Sequence, residues 1–175
     1  SEVDDVTRKL ERILEELTET SERVVRTSRR VAEELEKRSK EAVERSRKLA
    51  EEVARDRDRE KLRRVLKEIE KLHRDTVKDL RDALKKIEDD HRRVVEKLKK
   101  ALEELERLIR RVLREVPNVR EKLERVLEEI RRRIEELSEK NRKVVKDIRE
   151  IVRKLTERDE KVVREIKKIV DDIET

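Results

Sequence analysis

The chain has 175 residues, contains no Gly, Cys or aromatic residue, and is 57% charged, which is about twice the usual charged fraction of a globular domain. The lack of Cys excludes disulfides and thiolate metal sites. The sequence has no run of about 18 apolar residues, so no membrane span is predicted. The net charge is +6, but basic and acidic residues alternate and no aromatic ring can stack on a base, so we expect no nucleic-acid partner.

An 18-residue repeat organises the apolar residues. Its copies begin at Val3, Ser21, Ser39, His73, His91, Leu123, Asn141 and Asp159. Eighteen residues make five whole helical turns, so an apolar stripe with this period stays on one face and predicts nearly straight amphipathic helices. The first position of six copies is polar although it lies in the middle of the stripe. The repeat therefore predicts polar side chains inside a helical core.

The first chain reversal is predicted over residues 55–58. The distance in sequence from Ser39 to His73 is two residues short of two repeats. In a continuous helix this deficit would rotate the apolar face by about 200°. A turn must therefore interrupt the helix, and either Asp56 or Asp58 is predicted to cap the helix that follows.

The second reversal is predicted at Pro117, because proline ends the preceding helix and biases the residue before it towards an extended conformation. Asn118 followed by Glu121 has the spacing of a capping box for the last helix. Ser1 and Asp4 give a weaker capping signal at the start of the chain.

Three helices are thus predicted over residues 2–54, 59–115 and 119–174, with a second turn over 116–118. Each has about 53 residues and a length of roughly 80 Å at 1.5 Å per residue. Short connections make neighbouring helices antiparallel. The predicted fold is all-α, a single elongated up-down-up three-helix bundle over residues 1–175.

Folding the chain at the two turns brings the polar residues to two levels. The predicted levels are Ser21 with His91 and Asn141, and Ser39 with His73 and Asp159. Candidate additional members of the hydrogen-bond networks are Thr20, Ser46, Thr76 and Thr156. A slipped helix would leave these groups unsatisfied, at about 1–3 kcal/mol each. We therefore expect the buried polar layers to set helix register and specificity.

Ser28 and Ser46 have a second interpretation, because a helical serine can hydrogen-bond to the carbonyl four residues earlier. The two histidines should also differ. His91 faces the neutral Ser21 and Asn141, so burial should lower its pKa, whereas His73 faces a carboxylate that favours the imidazolium.

Ser39, His73 and Asp159 are also the residue types of a hydrolase triad, in which the serine bonds the histidine and the carboxylate orients it. Such an enzyme also needs an exposed elbow, oxyanion-hole donors and a cleft. None of these features is expected here, because the chain has no Gly to form an elbow and the backbone amides within its helices are already hydrogen-bonded. A designed hydrolase is a remote alternative, and we expect no enzyme activity.

Metal and cofactor sites are not expected either. His73 and His91 lie 18 residues apart on one predicted helix, which separates them by about 27 Å. The two histidines therefore cannot bind the same ion. A single histidine surrounded by oxygen ligands is also an unfavourable ligand set for zinc.

The whole chain resembles computationally designed helical bundles with straight helices and buried hydrogen-bond networks. The features that carry this resemblance are the 18-residue copies, the two polar levels, the absence of Gly and aromatic residues, and the Glu, Lys and Arg of the outer faces. The resemblance implies a de novo scaffold with no natural substrate or compartment, soluble and cytoplasmic on recombinant expression.

The apolar stripe leaves the number of packed helices open. A stripe of seven positions in 18 suits a closed three-helix bundle and approaches the face of a four-helix bundle. The small residues in the stripe of the first helix could pack closely or line a groove for another helix; they are Ser28, Ala32, Ser39, Ala42, Ser46 and Ala50. We expect a monomer that requires no partner, with self-association or a designed partner helix as the alternative.

Overall fold

The computed structural model describes residues 2–174 and confirms the predicted all-α three-helix bundle. Helix α1 spans Glu2–Asp56, α2 spans Arg59–Glu115 and α3 spans Arg120–Glu174. A short 3-10 turn, Pro117–Val119, precedes α3. No strand occurs within the described residues. The capping signal at the first residue of the chain lies outside this range.

The first reversal is tighter than predicted. Helix α1 continues to Asp56, past its predicted end at residue 54, which leaves only Arg57 and Asp58 between the helices. Arg57 has a φ of 48°, the left-handed conformation that glycine usually supplies just after a helix. Asp58 caps α2, since its Oδ1 accepts the backbone N–H of Glu60 at 3.1 Å and that of the following residue at 3.4 Å.

The second reversal uses backbone bonds in place of the predicted capping box. Val116 is extended, with φ −132° and ψ 80°, as the following proline requires. The backbone N–H of Arg120 donates to the carbonyl of Pro117. Asn118 lies inside the 3-10 turn instead of directly before α3, so the prediction that its side chain caps this helix is wrong.

The chain divides into two compact units, and each helix contributes a segment to both. Unit 1 comprises Ser1–Ser28 and Ile87–Lys146, and unit 2 comprises Arg29–Lys86 and Asp147–Thr175. The organisation of residues 1–175 as one domain stays a prediction. Each unit contains one complete polar level of the sequence repeat.

Aliphatic side chains form the core of each unit. In unit 1, Val3, Ile109 and Leu123 lie within one buried cluster. In unit 2, Ile69 and Val162 are at most 1% exposed. The small side chains of the α1 stripe are all buried: Ser28, Ala32, Ser39, Ala42, Ser46 and Ala50. They allow close approach of the neighbouring helices within each unit.

Two buried hydrogen-bond networks as the candidate functional site

The unit-1 network consists of Ser21 and Ser28 from α1, His91 from α2 and Asn141 from α3. The amide Nδ2 of Asn141 donates to Ser21 Oγ at 2.7 Å. Its Oδ1 lies 2.6 Å from His91 Nδ1, and His91 Nε2 lies 2.8 Å from Ser28 Oγ. All four residues are at most 3% exposed. The network therefore joins all three helices in a region without solvent.

The direction of each hydrogen bond in this network follows from Asn141. Its Nδ2 also donates to the carbonyl of Leu137 at 2.8 Å, so Oδ1 is the atom that faces His91. His91 Nδ1 must then donate to Oδ1, and Nε2 is left to accept from the hydroxyl of Ser28. Every member finds a partner with His91 in its neutral form. Burial lowers the pKa of His91 from its ordinary 6.5, against the opposing effects of the Asn141 hydrogen bond and the Asp90 carboxylate.

The unit-2 network consists of Ser39 and Ser46 from α1, His73 from α2, and Arg158 and Asp159 from α3. Asp159 Oδ1 lies 2.6 Å from His73 Nδ1, and its Oδ2 accepts from Ser39 Oγ at 3.1 Å. His73 Nε2 lies 2.8 Å from Ser46 Oγ. Arg158 Nη2 donates to Ser39 Oγ at 2.9 Å. Asp159, Ser39 and Ser46 are each 0% exposed.

Ser46 has a second bond that fixes the hydrogen-bond directions here. Its hydroxyl donates to the carbonyl of Ala42 at 2.7 Å, so its Oγ is left to accept from His73 Nε2. His73 Nδ1 donates to the Asp159 carboxylate. Both ring nitrogens of His73 therefore face hydrogen-bond acceptors, Asp159 Oδ1 and Ser46 Oγ.

The structure brings the three predicted residues of each level into one network, together with the predicted candidate Ser46 and two additions, Ser28 and Arg158. Ser28 and Ser46 bond the Nε2 atoms of the two histidines, and Arg158 joins unit 2. Each of these serines lies seven residues after the serine that begins its repeat, which is close to two helical turns. A serine occupies this apolar position in only these two copies, which is a signal that could have placed Ser28 beside Ser46 among the candidate members.

The predicted threonine members lie outside the networks. Thr20 and Thr76 donate to carbonyls of their own helices, those of Glu16 and Leu72. Thr156 is half-buried and makes none of the hydrogen bonds that define the unit-2 network. A threonine hydroxyl within a helix has a carbonyl four residues earlier in reach, and in Thr20 and Thr76 this local bond replaces the predicted bond across helices.

The unit-2 network has the connectivity of a Ser-His-Asp triad, but through Ser46 instead of Ser39. The proposed contact of Ser39 with His73 is not formed, because Ser39 bonds Asp159. Ser46 is fully buried and its hydrogen is given to its own helix. A groove of about 580 Å³ between α2 and α3 is lined in part by His73 but not by Ser46. The buried Ser46 hydroxyl is thus outside the lining of this groove.

The part of the chain that the structure describes contains no group of three or more His, Cys, Asp or Glu residues placed to hold a metal ion. None of its helices combines the length and apolar character needed to cross a membrane.

The chain was compared with family models, curated proteins and solved structures, and it resembles a designed helical bundle. No family model and no curated protein matches the chain. A solved structure described as a computationally designed three-helix bundle superposes with a TM-score of 0.50, at 18% sequence identity, over 98% of this chain and 88% of that one. At this identity the likeness supports the three-helix fold.

Proposed function

We propose that the chain is a designed structural scaffold without a natural substrate, in which the two buried networks set helix register. The observation that carries this proposal is that each network draws side chains from all three helices. The resemblance to designed bundles, the regular repeat and the similarity to a designed three-helix structure support a designed origin.

The energetic reason is an asymmetry between correct and incorrect pairing. A satisfied hydrogen bond adds only about 0.5–1.5 kcal/mol net, whereas a buried group left unsatisfied costs about 1–3 kcal/mol. An aliphatic core packs nearly as well after a slip of one turn, but a buried Asn or His does not keep its partners. The networks therefore penalise wrong registers more than they stabilise the correct one.

The register role is tested by making the unit-1 network apolar. The variant combines Ser21→Ala, Ser28→Ala, His91→Leu and Asn141→Leu, and spin labels are placed at the exposed Arg23 and Glu139. We expect one narrow distance distribution for the parent and several for the variant, since a one-turn slip moves a helix by about 5.4 Å. A matched control changes four core aliphatic residues with conserved total volume. A single narrow distribution in the apolar variant would show the register role to be wrong.

We further propose that the scaffold is a closed monomer. Among the described residues, Ile169, at 45% exposure, is the one large exposed hydrophobic residue, and the small residues of α1 are buried. Light scattering on a sizing column should give a mass near 21.3 kDa. Twice that mass would contradict the closed monomer and would show that a second copy of the chain is the partner.

A further inference from the structure

Two positions distinguish the networks, and both lie on α3. Ser21 and Ser28 in unit 1 correspond to Ser39 and Ser46 in unit 2 by a shift of 18 residues, and each network has one histidine. The same shift matches Asn141 with Asp159, and Lys140 with Arg158. The paired differences raise the question of why a buried carboxylate is accompanied by an arginine.

The first serine of each network differs in the direction of its hydrogen bond to α3. Ser21 accepts from the Asn141 amide at 2.7 Å. Asp159 has no hydrogen to give in its ionised form, so Ser39 must donate its one hydrogen to Oδ2. The lone pairs of Ser39 then need a donor, and Arg158 Nη2 supplies it at 2.9 Å.

Arg158 makes this contact at a local cost. Its Nε is shielded from solvent and is the one buried side-chain nitrogen or oxygen without a hydrogen-bond partner within the described range. An arginine on a helix surface can ordinarily extend and keep its N–H groups in water. The matching Lys140 in unit 1 is exposed. The position of the Arg158 guanidinium is therefore explained by the network and not by its own solvation.

We propose that Arg158 is a positioning residue, which acts through Ser39 to let unit 2 hold a buried carboxylate where unit 1 holds a carboxamide. The guanidinium fixes the Ser39 hydroxyl with its hydrogen towards Asp159 and brings a positive charge to the edge of the network. This role goes beyond the proposed register function and is independent of it.

The first experiment is a double-mutant cycle in unit 2. Arg158→Gln should raise the unfolding equilibrium constant, the ratio of unfolded to folded protein, about tenfold in the parent protein, the size of one charged hydrogen bond. In the Asp159→Asn background it should change that constant less than about twofold, because Asn can donate to Ser39 as Asn141 donates to Ser21. The same loss of coupling is expected in Ser39→Ala. Equal effects of Arg158→Gln in all three backgrounds would overturn the proposal.

The second experiment transfers the pair to unit 1, where the matched position provides the control. Asn141→Asp should destabilise the protein and raise its unfolding equilibrium constant. Adding Lys140→Arg should lower that constant again about tenfold, while Lys140→Arg alone should have no effect. Absence of rescue, with the unit-2 cycle additive, would refute the role. The outcome is distinct from the register test, because stability is measured here and interhelical distance there.

Discussion

The two networks share a plan and differ in charge. In unit 1 a carboxamide both donates and accepts, so Ser21, Asn141, His91 and Ser28 complete a neutral set of hydrogen bonds. In unit 2 the carboxylate of Asp159 only accepts, and donors reach it from Ser39 and His73. The exchange of a carboxamide for a carboxylate thus reverses the serine hydrogen bond, since Ser21 accepts from Asn141 whereas Ser39 donates to Asp159.

This difference also changes what each network demands of its surroundings. A neutral network needs only correct hydrogen-bond geometry, since every donor and acceptor can find a partner inside the core. A buried carboxylate loses its hydration and needs compensating charge as well. In unit 2 the ring of His73 lies 2.6 Å from the carboxylate, and Arg158 brings a positive charge to the edge of the network. The charged network should therefore be the less tolerant of losing one member.

The largest expected effect is the loss of a histidine. His73→Leu leaves the Asp159 carboxylate buried without its close partner, and we expect a loss of about 3–5 kcal/mol in the free energy of unfolding. His91→Leu leaves a neutral amide oxygen and a hydroxyl unpaired, and should cost about 1–3 kcal/mol. Guanidinium chloride unfolding followed by circular dichroism measures both. If His91→Leu is the more damaging substitution, the contrast between a charged and a neutral network is wrong.

A smaller effect is expected at the second serine of each network. Ser46→Ala removes the bonds to His73 and to the Ala42 carbonyl, and should cost about 1–3 kcal/mol. Ser28→Ala removes the bond to His91 and should cost about 1 kcal/mol. The two substitutions are matched controls, since both serines occupy the same repeat position. Equal losses would indicate that the Ala42 bond adds nothing.

The sequence was sufficient to predict the helices and the membership of the two levels, because both follow from a period of 18 residues. Phase breaks and Pro117 located the turns to within a few residues. The details that it missed are local competitions between bonds of similar strength. Thr20 and Thr76 bond their own helices, and a 3-10 turn replaces the predicted Asn118 cap.

Two further features of the networks depend on side-chain reach and could not be read from periodicity. Arg158 has an outward-facing position in the repeat, and only the three-dimensional path of its side chain brings it to Ser39. The order of atoms in unit 2 is likewise geometric. The sequence suggested Ser39 beside His73, whereas Asp159 lies between them and bonds both.

The smallest expected effect is the response of His91 to acid. Its pKa in the folded protein is lowered from 6.5 by burial, so above pH 6.5 neither the folded nor the unfolded state binds a proton there. As the pH falls below 6.5, the unfolded chain binds a proton that the folded one excludes, and the free energy of unfolding decreases until the lowered pKa is reached. The neutral network should therefore weaken in mild acid.

Comparing the parent with His91→Gln isolates this response, because the difference between their unfolding free energies cancels the titration of groups they share. We expect this difference to shrink between pH 7.5 and 5.5 as the parent loses its advantage. His73→Gln provides the matched comparison in unit 2, where the ring faces the Asp159 carboxylate instead of a carboxamide. A pH-independent difference for His91→Gln would mean that His91 reaches solvent or already carries its second proton in the folded protein, and the neutral assignment of unit 1 would have to be abandoned.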